Sequence, residues 1–78
     1  MRTVEVSPEG YYVMAGHKMN VNEVEAALVQ AFKSNPKLQV HIRADTKEQF
    51  GNVMAVVDRC IKNGILKVGF AMKGDKRP

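Results

Sequence analysis

The chain has 78 residues, 45% of them apolar and 26% charged, with one cysteine and no tryptophan. At this length a protein buries roughly 60–65% of the surface its unfolded chain exposes, which allows one thin core and excludes two domains or a deep cleft between lobes. The lone Cys60 excludes an intrachain disulfide and a cysteine-held zinc, and the net charge of +4 falls to +2 once three cations and one anion in residues 73–78 are set aside.

Residues 2–7 alternate, with Val4 and Val6 on one face and Thr3 and Glu5 on the other, as in a half-buried strand. Pro8-Glu9-Gly10 supplies turn chemistry, and the β-rich run 11–15 after it completes a predicted hairpin. Gly16-His17 is read as a second turn, leading to a short extended piece over 18–21. Asn22 then opens the first helix, with Glu25 three residues on as the partner of a capping box. Val24, Ala27, Leu28, Ala31 and Phe32 form its apolar stripe, and Ser34-Asn35-Pro36 ends it.

Residues 38–44 are the clearest strand. Leu38, Val40, Ile42 and Ala44 point one way and Gln39, His41 and Arg43 the other, so the protein covers one face of its sheet and leaves the second open. Asp45 or Thr46 is the predicted cap of a second helix, paired with Glu48 or Gln49. Phe50, Val53, Met54, Val57 and Ile61 make its predicted stripe, with Cys60 at the border and Gly64 as the left-handed stop. A final strand over 67–72 follows, and the strand-helix-strand run is long enough for a crossover between parallel strands. The expected fold is an α/β two-layer sandwich in the order β-β-(β)-α-β-α-β, a mixed sheet of four to five strands with two helices on one face.

No residue pattern favours catalysis. His17 and His41 lack neighbours at ligand spacing, and no phosphate loop, nucleophile elbow or paired carboxylate is present. Asp45 ends the central strand, where ligands of α/β sheets often bind, yet an acid at a strand-to-helix junction is explained more simply as a helix cap. Cys60 lies near Arg59 and Lys62, but without a helix N-terminus or a paired histidine it reads as a packing residue. The open sheet face with His41 and Arg43 and a free strand edge carrying Lys67, Val68, Phe70 and Met72 are the stronger candidates, because an unpaired edge accepts a strand from a second copy or a peptide.

Several segments together resemble the periplasmic domain of the ExbD/TolR family. They are Val4-Glu5-Val6-Ser7-Pro8-Glu9-Gly10-Tyr11-Tyr12 with Gly16, Asn22-Glu23-Val24-Glu25-Ala26-Ala27-Leu28, Val40-His41-Ile42-Arg43-Ala44-Asp45, Val53-Met54-Ala55-Val56-Val57-Asp58, and Asn63-Gly64-Ile65-Leu66-Lys67-Val68-Gly69-Phe70. Residues 32–37 are nearer the TolR branch and Arg43-Ala44-Asp45 nearer the ExbD branch; Phe50 stands where the family commonly has tyrosine, and Asn63 where it often has alanine.

The resemblance implies a non-enzymatic part of a proton-motive-force motor of Tol-Pal or TonB-ExbB-ExbD type, without cofactors. Its expected partners are an ExbB/TolQ-like proton-channel subunit, a TonB/TolA-like protein, a second copy in a homodimer, and peptidoglycan. The family's membrane helix and its essential acid are expected upstream, so Asp45, Asp58 and Asp75 do not take that acid's role. The implied place is the periplasmic side of a single-pass inner-membrane protein of a Gram-negative-type bacterium. Residues 1–72 are expected to form the domain and 73–78 a flexible basic tail. The competing reading is a small basic nucleic-acid module using the open face; the absence of aromatic-basic interleaving on the strands argues against a nucleic-acid partner.

Overall fold

Hydrophobic period fixes which segments become strands and which become helices. In the computed structural model, which describes residues 1–46 and 49–72, the order is β1 (Arg2–Val6), β2 (Tyr12–Met14), β3 (His17–Met19), α1 (Val21–Ser34), β4 (Val40–Ala44), α2 (Phe50–Lys62) and β5 (Val68–Met72). The strands form one sheet in the order β3-β2-β1-β4-β5. The β1-β2 and β2-β3 pairs are antiparallel, and β1-β4 and β4-β5 are parallel, so the sheet is mixed and has five strands.

Register carries the alternation of each strand across the sheet. Val6 lies between Tyr12 and Ala44, and all three are buried; Glu5, one residue earlier, lies between Val13 and Arg43 on the other face. Both helices cover the first face, α1 over β2 and β3 and α2 over β4 and β5. The core lies between the layers, around Val4, Ile42, Leu28, Val53, Val56 and Ile65.

The turns follow the backbone each residue tolerates. Gly10, at φ +100°, closes the first hairpin, where Ser7 Oγ accepts from the Glu9 N–H at 3.1 Å and donates to the Glu9 carboxylate at 2.6 Å. The second turn is Ala15-Gly16, both at positive φ, and His17 opens β3 instead of sitting in the turn. Two positive-φ residues match the right-handed twist of a tight hairpin, a demand that alanine at the first position hides from a sequence reading.

Both helix starts depart from expectation. The cap of α1 is Asn20, not Asn22: Asn20 Oδ1 accepts from the Glu23 N–H and Glu23 accepts from the Asn20 N–H, both at 2.8 Å. The sequence offers two such boxes two residues apart, and the chain uses the earlier, which places Val24 and Leu28 inward. Asp45 does not cap α2 either. The residue before that helix is Gln49, a buried amide whose Oε1 accepts from the N–H groups of Asp45 and Thr46 at 2.9 and 2.8 Å while its Nε2 donates to the Val6 carbonyl at 2.6 Å. Only the reciprocal half of a Thr46-Gln49 box forms, because the Gln49 N–H goes to the Thr46 carbonyl, at 3.2 Å, and not to the Thr46 hydroxyl. Glu48, the alternative partner, lies outside the described residues.

The end of α2 is as expected. Gly64 takes φ +80°, and the N–H groups of Gly64 and Ile65 return to the carbonyls of Ile61 and Cys60, the paired bonds of a Schellman cap. Its buried stripe is Val53, Val56 and Cys60 with Val57 half-buried, whereas Phe50, Met54 and Ile61 stay exposed. Cys60 therefore sits in the core, and burial, aided by the Glu25 charge, pushes its thiol up to about 11.

Candidate functional site

The parallel ladder decides what β5 offers outward. Lys67, just before the strand, is exposed and gives its carbonyl to the Val40 N–H at 2.9 Å. In a parallel strand the N–H and C=O of one residue point the same way, so Lys67, Gly69 and Ala71 face β4, and Val68, Phe70 and Met72 direct their peptide groups to the free edge. Three of the four predicted edge residues thus carry the outward backbone.

Side chains add apolar character on the helix side of that edge. Val68 is half-buried against the core, and Phe70 is 48% exposed and stands edge-to-face with Phe50 of α2, centroids 6.3 Å apart. Of Met72 the structure describes the backbone alone, so the side chain expected at this edge lies outside the described part. Edge and helix flank are thereby brought together, a juxtaposition that the sequence hides because Phe50 falls on the same predicted apolar stripe as Val53 and Val57.

On the opposite face Arg43 is exposed between Glu5 and Ala71, and His41 is half-buried between Thr3 and Gly69. Glu5, Ser7, Glu9, Arg43, Asp45 and Ala71 line an open cavity of about 470 Å³ at the carboxyl ends of the parallel strands. Its carboxylates, and the cross-sheet row Lys18, Val13, Glu5, Arg43, mix the two signs of charge and do not make a basic stripe for a nucleic-acid backbone. Among the described residues no three His, Cys, Asp or Glu side chains gather in metal-ligating geometry. None of their helices is long and apolar enough to cross a membrane.

Sequence reasoning missed the polar clamp between the helices. Arg59 donates to Glu25 and, at 2.8 Å, to Asn22, while Asn63 donates to the other Glu25 oxygen at 2.8 Å. The Asn63 and Arg59 hydrogen bonds hold the Glu25 carboxyl below the usual range. Asn22 thus serves as a cross-helix acceptor instead of a cap. Tyr12 donates its hydroxyl to the Asn52 carbonyl at 2.9 Å, and burial raises its pKa.

A model of the ExbD/TolR biopolymer transport proteins matches residues 2–75. The chain belongs to the ExbD/TolR family. This membership makes it a non-enzymatic transport component. The match takes in every strand and both helices. No curated protein matches the chain significantly.

Proposed function

We propose that the chain is the periplasmic domain of an envelope energy-transduction complex of Tol-Pal or TonB-ExbB-ExbD type, working as a homodimer. In this reading residues 1–72 are the working domain and 73–78 a basic tail. An ExbB/TolQ-like proton-channel subunit drives the complex, and the domain passes force to a TonB/TolA-like protein or holds peptidoglycan.

The observation that carries the reading is the β5 edge, unpaired among the described residues, whose outward peptide groups at Val68 and Phe70 run beside an exposed Phe70-Phe50 pair. Backbone hydrogen bonds along such an edge supply affinity, and adjoining apolar side chains supply selection. His41 and Arg43 on the open face are the weaker contact candidates.

Proline at position 70 removes one outward N–H and keeps the β4 pairing, the place where an edge strand tolerates proline. The test immobilises the chain and offers it the periplasmic part of a TonB/TolA-like protein, purified peptidoglycan and single-stranded nucleic acid. Binding to one of the first two that Phe70→Pro abolishes and Phe70→Ala weakens supports the reading. Capture of nucleic acid alone, with steep salt dependence, overturns it in favour of the nucleic-acid module.

A further inference from the structure

The end of α2 carries a chemical feature beyond its role as a helix stop. Asn63 alone among the asparagines of the chain precedes a glycine. With no side chain on Gly64 to crowd the approach, the Gly64 backbone nitrogen reaches the Asn63 side-chain carbonyl carbon whenever the backbone between them is free to turn. Asn63 is half-buried and Gly64 exposed, so water has access to the pair.

In the folded chain the two reacting atoms are held apart. Asn63 stands at φ −102° and ψ 10°, which turns the Gly64 nitrogen away from the side chain. Asn63 Nδ2 donates to Glu25 Oε2 and to the Arg59 carbonyl, both at 2.8 Å. The Gly64 N–H donates to the Ile61 carbonyl at 3.0 Å, beside the Ile65 bond to Cys60 at 2.9 Å. Arg59 in turn fixes Glu25 and also reaches Asn22.

We infer that Asn63-Gly64 is a spontaneous modification site, a deamidation switch that the Glu25 clamp holds shut. When the end of α2 opens, the Gly64 nitrogen gives up its proton and attacks Asn63 Cγ. A C–N bond forms, the Cγ–Nδ2 bond breaks, and Nδ2 leaves with that proton as ammonia, closing a cyclic imide. Water then cleaves one of the two imide bonds to the Gly64 nitrogen. Cleavage at Cγ leaves aspartate, and cleavage at the backbone carbonyl leaves isoaspartate, with the chain running through the side-chain carbon. The sum is amide plus water to acid plus ammonia, and water is the only co-reactant.

The product does not rebuild the clamp. A carboxylate at position 63 has no hydrogen to donate, so Glu25 and the Arg59 carbonyl each lose a partner, and two carboxylates face one another beside one guanidinium. Isoaspartate also lengthens the backbone inside the Schellman cap, where the Gly64 and Ile65 N–H groups must meet the Ile61 and Cys60 carbonyls. Deamidation is therefore a one-way release of α1 from the end of α2. The inference stands apart from the reading of β5, since it needs neither a second copy nor a binding partner.

Incubating the 78-residue chain in mildly alkaline buffer, folded or unfolded in guanidinium chloride, tests it. Peptide mass spectrometry locates each amide converted to acid, and hydrogen exchange at Gly64 and Ile65 reports the opening. Asn63 is expected to convert at least about tenfold faster in the unfolded chain than in the folded one, ahead of every other asparagine. Glu25→Ala removes the acceptor of Nδ2 and is expected to speed both exchange and conversion in the folded chain by at least about threefold. Glu25→Gln, which keeps an amide oxygen there, is expected to speed them less; circular dichroism verifies that both variants fold. Equal conversion in the folded and unfolded chains, or conversion of another asparagine first, overturns the switch. Glu25 variants that leave conversion unchanged, with or without faster exchange, overturn the part given to the clamp.

Discussion

The two flanks of α2 are built from opposite chemistry. Toward α1, Arg59, Asn63 and the Asn52 carbonyl each meet a named partner, Glu25 or the Tyr12 hydroxyl, and no buried side-chain polar atom among the described residues lacks one. Away from α1, Phe50 makes one aromatic contact with Phe70, and Phe50, Met54 and Ile61 stand exposed. Hydrogen bonds are directional, so the polar flank fixes the rotation of the helix about its axis. That rotation aims the apolar flank beyond the sheet edge. The closed side thus determines what the open side presents.

The largest way to break this arrangement is through the core beneath it. Leu28→Ala, at a side chain 1% exposed between α1 and the sheet, is expected to cost about 3 kcal/mol in urea unfolding. Gln49→Ala removes the amide that joins the start of α2 to β1, leaving the Val6 carbonyl and two N–H groups unmatched. A loss of about 2 kcal/mol is expected from chemical denaturation. Asn20→Ala, which removes the cap of α1, is expected to cost about 1 kcal/mol in the same assay.

The polar flank is sharpened by pH. Glu25 titrates below its ordinary value when folded, so the unfolded chain binds more protons in the acid range. The clamp's contribution is full above the ordinary glutamate pKa and is lost as pH falls through the lowered one. Wild type and Glu25→Gln should therefore differ in thermal stability at neutral pH and converge in acid; a gap that persists at low pH would show that the clamp does not act through charge. The smallest effect belongs to the open flank. Met54→Lys is expected to change the stability of the monomer by less than about 0.5 kcal/mol, since the side chain is partly exposed and a lysine stem can cover the same surface.

The alternation of Val4 with Val6 and of Val40 with Ile42 made the strands and the single covered face legible, and Gly64 announced the end of α2. The stop at Asn35-Pro36 was equally plain. The start of α1 was not, because Asn20-x-x-Glu23 and Asn22-x-x-Glu25 are the same signal two residues apart, and only inward packing of Val24 and Leu28 chooses between them. Gln49 was visible as a capping partner, but its bond to Val6 spans 43 residues and needs the β1-β4 pairing to exist. At the candidate site, the edge residues Val68 and Phe70 followed from the sequence, whereas the exposed apolar flank of α2 did not. Phe50, Met54 and Ile61 share a broad apolar arc with Val53 and Val57, and a helical period alone assigns the whole arc to the core. Only the Arg59-Glu25 clamp reveals where the core part ends.

A concentration series of amide spectra on the nitrogen-15-labelled chain tests the central claim most directly. If two copies meet through the β5 edge, raising the concentration shifts the amide signals of Val68 and Phe70 together, with one apparent dissociation constant. Lys18 and Met19, at the opposite edge of the sheet, stay in place. Shifts confined to that opposite edge, or to the helix flank that carries Arg59, would contradict the account.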